Sequence, residues 1–470
     1  MNLLKYSFVL LMLLPAIAGR AQDTVKTLSL DEVTAILKLH HPVARQADIL
    51  VDKAKADVTI SRGMFDPVVQ NELAEKTFNG TNYYNYNRPE LSIPTWFGIE
   101  VKAGLEYLSG SRTSPEETTG ESSYMGISIP LAKNLLMDKR RAALKTAKLF
   151  RSASAVEKRN ILNNLILDAS ESYWNWVQQY QRFKILSNNV TVNELRVKFV
   201  RTAYVIGERP AIDTTEAVSQ LQAFELLKSE AWLQFQNAGL DLSLYMWNEA
   251  QQPVDLPQDV VPADDLQQLN INVVLIPSLD TLLNAAIINH PELIIYNYKL
   301  EVLGIEKKLK FQELLPTINF RYNQLGRGYD ILKTATGPLF ENNFQYGVTV
   351  GIPLRLSQGR GEYKKAKLKI EETKLQLNFK QQQVNNKVKS YYNELLALQY
   401  QVNLQQLAFD NYAILQRGEE TRFRAGESSL FLVNTRETKA LEALQKLQEI
   451  KTKFYKTNIK LQWAAGMLAQ

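Results

Sequence analysis

The chain has 470 residues, 45% hydrophobic and 22% charged, with 55 Lys and Arg against 49 Asp and Glu, three His and no Cys. That length supports a sizeable core, and the missing cysteine excludes disulfides, thiolate metal sites, a thiol nucleophile and an acylated N-terminal Cys. A net charge of +6 is small for this length and argues against a dedicated nucleic-acid binder.

Residues 1–21 read as a secretory signal peptide: a basic start at Lys5, an apolar run from Phe8 to Leu14, then Ala16, Ala18, Gly19 and Ala21, with cleavage expected after Ala21. The run is too short to span a bilayer of about 30 Å as a helix. No later stretch approaches 18 uninterrupted apolar residues, so any entry into a membrane would be by strands.

The remainder is duplicated. Ser29-Leu30-Asp31, His41-Pro42 and Pro67 recur as Ser278-Leu279-Asp280, His290-Pro291 and Pro316 at one ungapped offset of 249. Ile129-Pro130-Leu131 recurs as Ile352-Pro353-Leu354, and Gly207-Glu208 as Gly426-Glu427. The first repeat is expected over 22–250, with a helix, strands within about 67–131 and a long helical hairpin over about 132–250. A connector at 251–277, carrying Pro253, Pro257, Pro262 and Pro277, precedes the second repeat at 278–470. There the strands are expected at about 316–326 and 343–354 and the hairpin over about 355–470. Two copies at so long a period imply pseudo-symmetry, not a solenoid.

The strand segments alternate with a period of two. Phe344, Tyr346, Val348, Val350 and Ile352 share one face, against Gln345, Gly347, Thr349 and Gly351. Ile318, Phe320 and Tyr322 alternate with Asn and Arg, and Ile127 and Ile129 with Gly126 and Ser128. Aromatics near the loop end, about ten residues per strand and a wet opposite face fit lipid-facing strands. Two further segments, 67–78 and 97–108, compete in the first half: the repeat favours the former, the alternation the latter. Because both flanking helical parts must lie on one side, an even number of segments crosses. Pro130 and Pro353 then mark strand-to-helix junctions.

The fold class expected is mainly α with a membrane β-barrel portion: long antiparallel helical hairpins plus about four strands per chain. An open sheet edge is not tolerated in lipid, so such a chain must oligomerise. In 384–398, Val384, Val388, Tyr391, Leu395 and Leu398 fall on one helical face as a packing seam.

Helix opening, His-Pro, strand exit before a long helix and Gly207 with Asp213 six residues on, all in duplicate order, resemble the TolC-like outer membrane efflux proteins. The resemblance implies a homotrimer with a 12-stranded barrel in the outer membrane and a 12-helix periplasmic tube. It also implies docking on a periplasmic adaptor and an inner-membrane transporter. In that family the turns at 203–214 and 423–433 resemble the periplasmic tips that close the tube. Gly207, Glu208, Arg209, Asp213, Phe423, Arg424, Gly426 and Glu427 are therefore the tip and gate candidates, with Arg209 or Arg424 as a partner for Asp213. Asp213 reads equally as a solvated turn carboxylate or helix cap. The chain departs from the family at Phe423 and Ser428, where a gate Tyr and Arg can stand, and at Leu432, where an acidic ring residue can.

His40, His41 and His290 read as helix-end residues ahead of metal ligands, and Gly359-Arg360-Gly361 lacks the third glycine of a phosphate loop. Lys139-Arg140-Arg141 reads as a solvated helix start, and Tyr173, Trp174 and Trp176 as packing. No catalytic set, metal or cofactor is expected. The expected role is a passive outer membrane channel of a tripartite efflux system. The alternatives are an outer membrane duct for type I protein secretion and a periplasmic coiled-coil scaffold outside the membrane.

Overall fold

The computed structural model describes residues 26–114, 117–257 and 259–468, so the expected signal segment lies outside the described residues. β1 (Lys26–Leu28) leads into α1 (Leu30–His40) and α2 (Pro42–Gly63). Ser29 caps α1 in a reciprocal box: its hydroxyl accepts from the Glu32 N–H at 3.3 Å, and the Glu32 carboxylate accepts from the Ser29 N–H at 2.8 Å. His41 caps α2, its Nδ1 accepting from the Val43 N–H at 3.2 Å. Pro42 follows at the first helical position, where a missing N–H costs nothing.

Four strands follow: β2 (Val68–Phe78), β3 (Thr81–Pro94), β4 (Glu100–Ser109) and β5 (Gly120–Pro130). α3 (Lys139–Val205) then runs 67 residues, about 100 Å at about 1.5 Å per residue. α4 (Ala211–Ser243) turns back along it. In the connector, β6 (Val260–Pro262) pairs in parallel with β1. The second copy repeats the plan: α5 (Leu279–Asn289), α6 (Pro291–Gln312), β7 (Thr317–Arg327), a short α7 (Ile331–Ala335), β8 (Phe344–Gly351), α8 (Ser357–Arg424) and α9 (Leu430–Ala464).

One antiparallel sheet runs β2-β3-β4-β5-β7-β8. It has six strands where the sequence led us to expect about four. Both competing segments of the first half form strands, and the even count is restored by β3. That strand was hidden because Tyr83, Tyr84 and Tyr86 break the alternation, Asn residues fall between them, and Pro89 demotes a strand pattern.

The helices continue this order. Beside the sheet α2 packs on α3, α3 on α6 and α6 on α8. Ion pairs lace the last contact, Lys310–Glu362 at 2.8 Å and Lys369–Glu306 at 2.9 Å. At the far end α3 lies against α4, α8 against α9, and α3 against α9. The expected seam is buried: Val384, Val388, Leu395 and Leu398 of α8 pack with Leu447, Phe454 and Leu461 of α9.

A second core gathers Tyr173, Trp174 and Trp176 with Phe235 and Leu266. Trp174 stacks on Tyr455 with centroids 4.4 Å apart, and the Tyr173 hydroxyl donates to Asp264 at 2.7 Å. The connector is strapped down by Lys451, whose ammonium donates to the carbonyls of Leu266 (2.8 Å) and Leu269 (3.2 Å).

Candidate functional site

The two helix turns farthest from the sheet are built alike. After α3, Gly207 has φ +80°, its N–H donating to the Tyr204 carbonyl and the Glu208 N–H to the Ala203 carbonyl. After α8, Gly426 has φ +80°, its N–H donating to Phe423 and the Glu427 N–H to Arg422. Each is a six-to-one closure of the last helical turn, and the left-handed residue at its centre favours glycine.

Charge then ties the two turns together. Arg209 donates to the Phe423 carbonyl at 2.6 Å and to the Ser428 carbonyl at 3.5 Å, and its guanidinium stands 4.0 Å from the centroid of the Phe423 ring. A cation on a buried aromatic face with a carbonyl at hand is a directional latch. Asp213, in the first turn of α4, lies 3.7 Å from Arg209. Phe423 is buried, whereas Glu208, Arg424 and Glu427 project into solvent.

About two turns back from the tip lies a cluster that the sequence reading missed. Arg196 of α3 meets Glu437 of α9 at 2.6 Å and Glu420 of α8 at 3.4 Å, with Arg196 at 9% and Glu437 at 1% side-chain exposure. Asn193 donates to Glu437 at 3.1 Å, and Asn434 donates to Glu216 of α4 at 3.1 Å. All four tip helices meet here. The available signal was Glu437 itself, a lone acid where Leu430, Val433, Ala440 and Leu441 mark a buried seam. Beside it, a cleft of about 670 Å³ is lined by Val192, Leu195, Phe199 and Arg424, among others.

At the sheet end the residues expected to face lipid share one face in register. Ile127 pairs with Tyr322 and Tyr322 with Tyr346; Ile129 pairs with Phe320 and Phe320 with Val348; Ile318 pairs with Val350. Phe344 and Ile352 continue that face, and most of its β8 members are exposed. Tyr322 is the exception. The β7–β8 connection folds onto this face, so the Tyr322 hydroxyl accepts from the Phe340 N–H at 2.9 Å and its ring lies 4.5 Å from Phe340. Ser123 and Thr334 hydroxyls, 2.9 Å apart, hold α7 to β5.

The opposite face is charged. Glu90 accepts from the Tyr124 hydroxyl (2.6 Å), the Lys102 ammonium (3.0 Å) and the Gln70 amide (3.1 Å), while Arg88 donates to the hydroxyls of Tyr124 and Tyr86. At the junction after Pro130, Asp138 caps α3 and Arg141 reaches back to the carbonyls of Asn134 and Leu135. The basic run is thus partly a cap. Pro353 lies exposed between β8 and α8. Among the described residues no helix is long and apolar enough to cross a membrane.

Residues 282–467 match the family of outer membrane efflux proteins. That match lies in the second half of the chain. The same order of elements, with a His-Pro junction, a strand exit into a long helix and a glycine turn, is present in the first half. No curated protein matches the chain. Among solved structures, the CmeC outer membrane channel of Campylobacter jejuni superposes with TM-score 0.63 at 15% identity, over 93% of this chain and 85% of that one. VceC of Vibrio cholerae gives 0.63 at 14%, over 93% and 96%. The open MtrE channel of Neisseria gonorrhoeae gives 0.64 at 13%, over 93% and 89%. At these identities the likeness is one of fold.

Proposed function

We propose that the protein is the outer membrane duct of a tripartite efflux system, a passive, gated, homotrimeric channel for small molecules. The observation that carries this reading is the single sheet, whose β4, β5, β7 and β8 strands are largely apolar in register on one face while the other face is charged, set on helices about 100 Å long. A sheet so divided suits lipid outside and water inside. Helices of that length suit a tube crossing the periplasm. The tips at Gly207 and Gly426 would meet a periplasmic adaptor bound to an inner-membrane transporter, with exposed Leu195 and Phe199 beside them as an apolar docking stripe.

In this reading the protein performs no chemistry. Cargo moves down a gradient supplied by the transporter, and the residues act only on the population of open tubes. The Arg209 latch and the Arg196–Glu437 cluster both join the α3–α4 hairpin to the α8–α9 hairpin, so they favour the closed end.

The test is native mass and an unheated gel on detergent-extracted outer membranes, followed by single-channel recording. A membrane-bound species of three chain masses that conducts in bilayers supports the duct. A soluble periplasmic monomer refutes it.

A further inference from the structure

The connection between β7 and β8, residues 328–343, folds back over the apolar face of the sheet. α7 sits on Gly326, where a Cβ would collide with the Thr334 hydroxyl, and Phe340 covers Tyr322. Between the connection and the sheet lies a cavity of about 320 Å³, lined by Val101, Met125, Ile127, Phe320, Leu339 and Phe340. We propose that this cavity holds one acyl chain of an anionic membrane lipid, and that the connection is the clamp that grips it. The proposal rests on the membrane duct above and adds a bound ligand to it.

Position selects lipid over cargo. The cavity lies across the sheet from the charged face, out of reach of molecules in a wet lumen. Tyr322 stands five residues from the outer end of β7 at Arg327, about 16 Å of strand at about 3.3 Å per residue. At a tilt of about 40° the connection therefore reaches about 13 Å down the wall, into the outer half of an apolar band about 25 Å tall.

The connection is fitted to that depth. Irregular backbone persists within a membrane only where protein takes up its polar groups. Here the N–H groups of Thr334, Thr336 and Gly337 donate to the carbonyls of Asp330, Leu332 and Thr334, the Phe340 N–H donates to the Tyr322 hydroxyl, and Pro338 has none to satisfy. Leu332, Leu339 and Phe340 remain 81%, 66% and 57% exposed, an arrangement suited to lipid and unfavourable in water. Phe340 holds φ +58°, a left-handed conformation disfavoured for a bulky residue, so packing on Tyr322 imposes it against local preference.

The cavity itself presents carbon. The Tyr322 hydroxyl donates to the Gln324 side-chain oxygen at 2.6 Å, and the Gln324 amide donates to the Pro338 carbonyl at 3.1 Å, so both polar side chains turn their hydrogen bonds on the connection. An alkyl chain needs no partner there. Lys333, the only Lys or Arg in 328–343, is exposed on α7 toward the outer end, where its long stem can carry the ammonium to a lipid phosphate.

The test reconstitutes the full-length protein in phosphatidylcholine vesicles containing phosphatidylglycerol with a diazirine on one acyl chain. After irradiation, adducts are mapped by peptide mass spectrometry. The expected result is labelling of 125–127 and 335–340 above that of the open β8 positions Tyr346, Val348 and Val350. Ala335→Trp and Leu339→Trp fill the cavity from two sides; each should lower the first set about tenfold, the effect of withdrawing roughly two buried methylenes, and leave β8 unchanged. Lys333→Gln should abolish the advantage of phosphatidylglycerol over phosphatidylcholine carrying the same diazirine chain. Cavity labelling no greater than that of β8, or unmoved by both Trp variants, overturns the clamp and leaves the duct standing. Equal labelling of the wild-type cavity by the two lipids overturns the anionic preference. Protein that fails to enter vesicles, or whose β8 face takes no label, removes the duct reading itself.

Discussion

Glu437→Leu is expected to loosen the tip. Its carboxylate is 1% exposed and holds Arg196, itself 9% exposed, at 2.6 Å. Removing one partner leaves a guanidinium among Val197, Val200 and Val433 with only Glu420 at 3.4 Å and neutral amides in reach. Breaking a buried pair in this way costs about 3–5 kcal/mol. At about 1.4 kcal/mol per tenfold, local opening of the two hairpins rises roughly 10²- to 4 × 10³-fold. Amide hydrogen exchange of the detergent-solubilised protein reads this directly: protection over 192–205 and 423–437 should fall by that factor while the sheet is unchanged. The double variant Arg196→Met/Glu437→Leu removes both charges, and most of the lost protection should return. Tip protection that changes less than about threefold, or single-variant effects that simply add, would refute the idea that this pair couples the hairpins.

Three further outcomes are expected. Burial holds the His290 imidazole down at about 4 from its usual 6.5, so the folded state resists protonation. Its contribution, about 3 kcal/mol, is therefore complete above pH 6.5 and lost as pH falls toward 4; the melting temperature of the protein should fall across that window and His290→Gln should flatten the slope. Lys451→Met removes two hydrogen bonds and orphans the Leu266 and Leu269 carbonyls, costing about 1–3 kcal/mol and opening residues 263–273 to limited proteolysis. Gly207→Ala and Gly426→Ala meet no atom within 4 Å, so each should cost only the left-handed backbone penalty of about 1 kcal/mol, with Asn substitutions milder, as read by tip exchange.

Elements with a strong period were legible in the sequence. The seam at Val384 to Leu398, the β7 and β8 strands and both glycine tips lie within a few residues of their expected places, because one face of each is committed to a single environment. β2 and β3 were harder. Residues on the charged face of β3 such as Arg88 and Glu90 are held by partners on β4 and β5, and no local pattern announces a partner 12 or 34 residues away. Tyr322 has the right alternation for a lipid-facing residue, yet Phe340, in a connection 18 residues on, covers it. The Arg196–Glu437 pair spans 241 residues, a separation that only the packing of the two helical hairpins bridges.

The duplication also explains why the latch is single. With the tips superposed on their glycines, Arg209 corresponds to Ser428 and Asp213 to Leu432. The first tip thus carries a charged arm and an acid to steady it, while the second offers backbone carbonyls, a buried ring at Phe423 and a serine that donates to Glu419. The first tip's counterpart of Phe423 is Tyr204, which is exposed, so only the second tip offers a buried ring; without Arg209 the deeper cluster would be left to join the hairpins. Divergence between the copies turned a repeated turn into a donor and an acceptor.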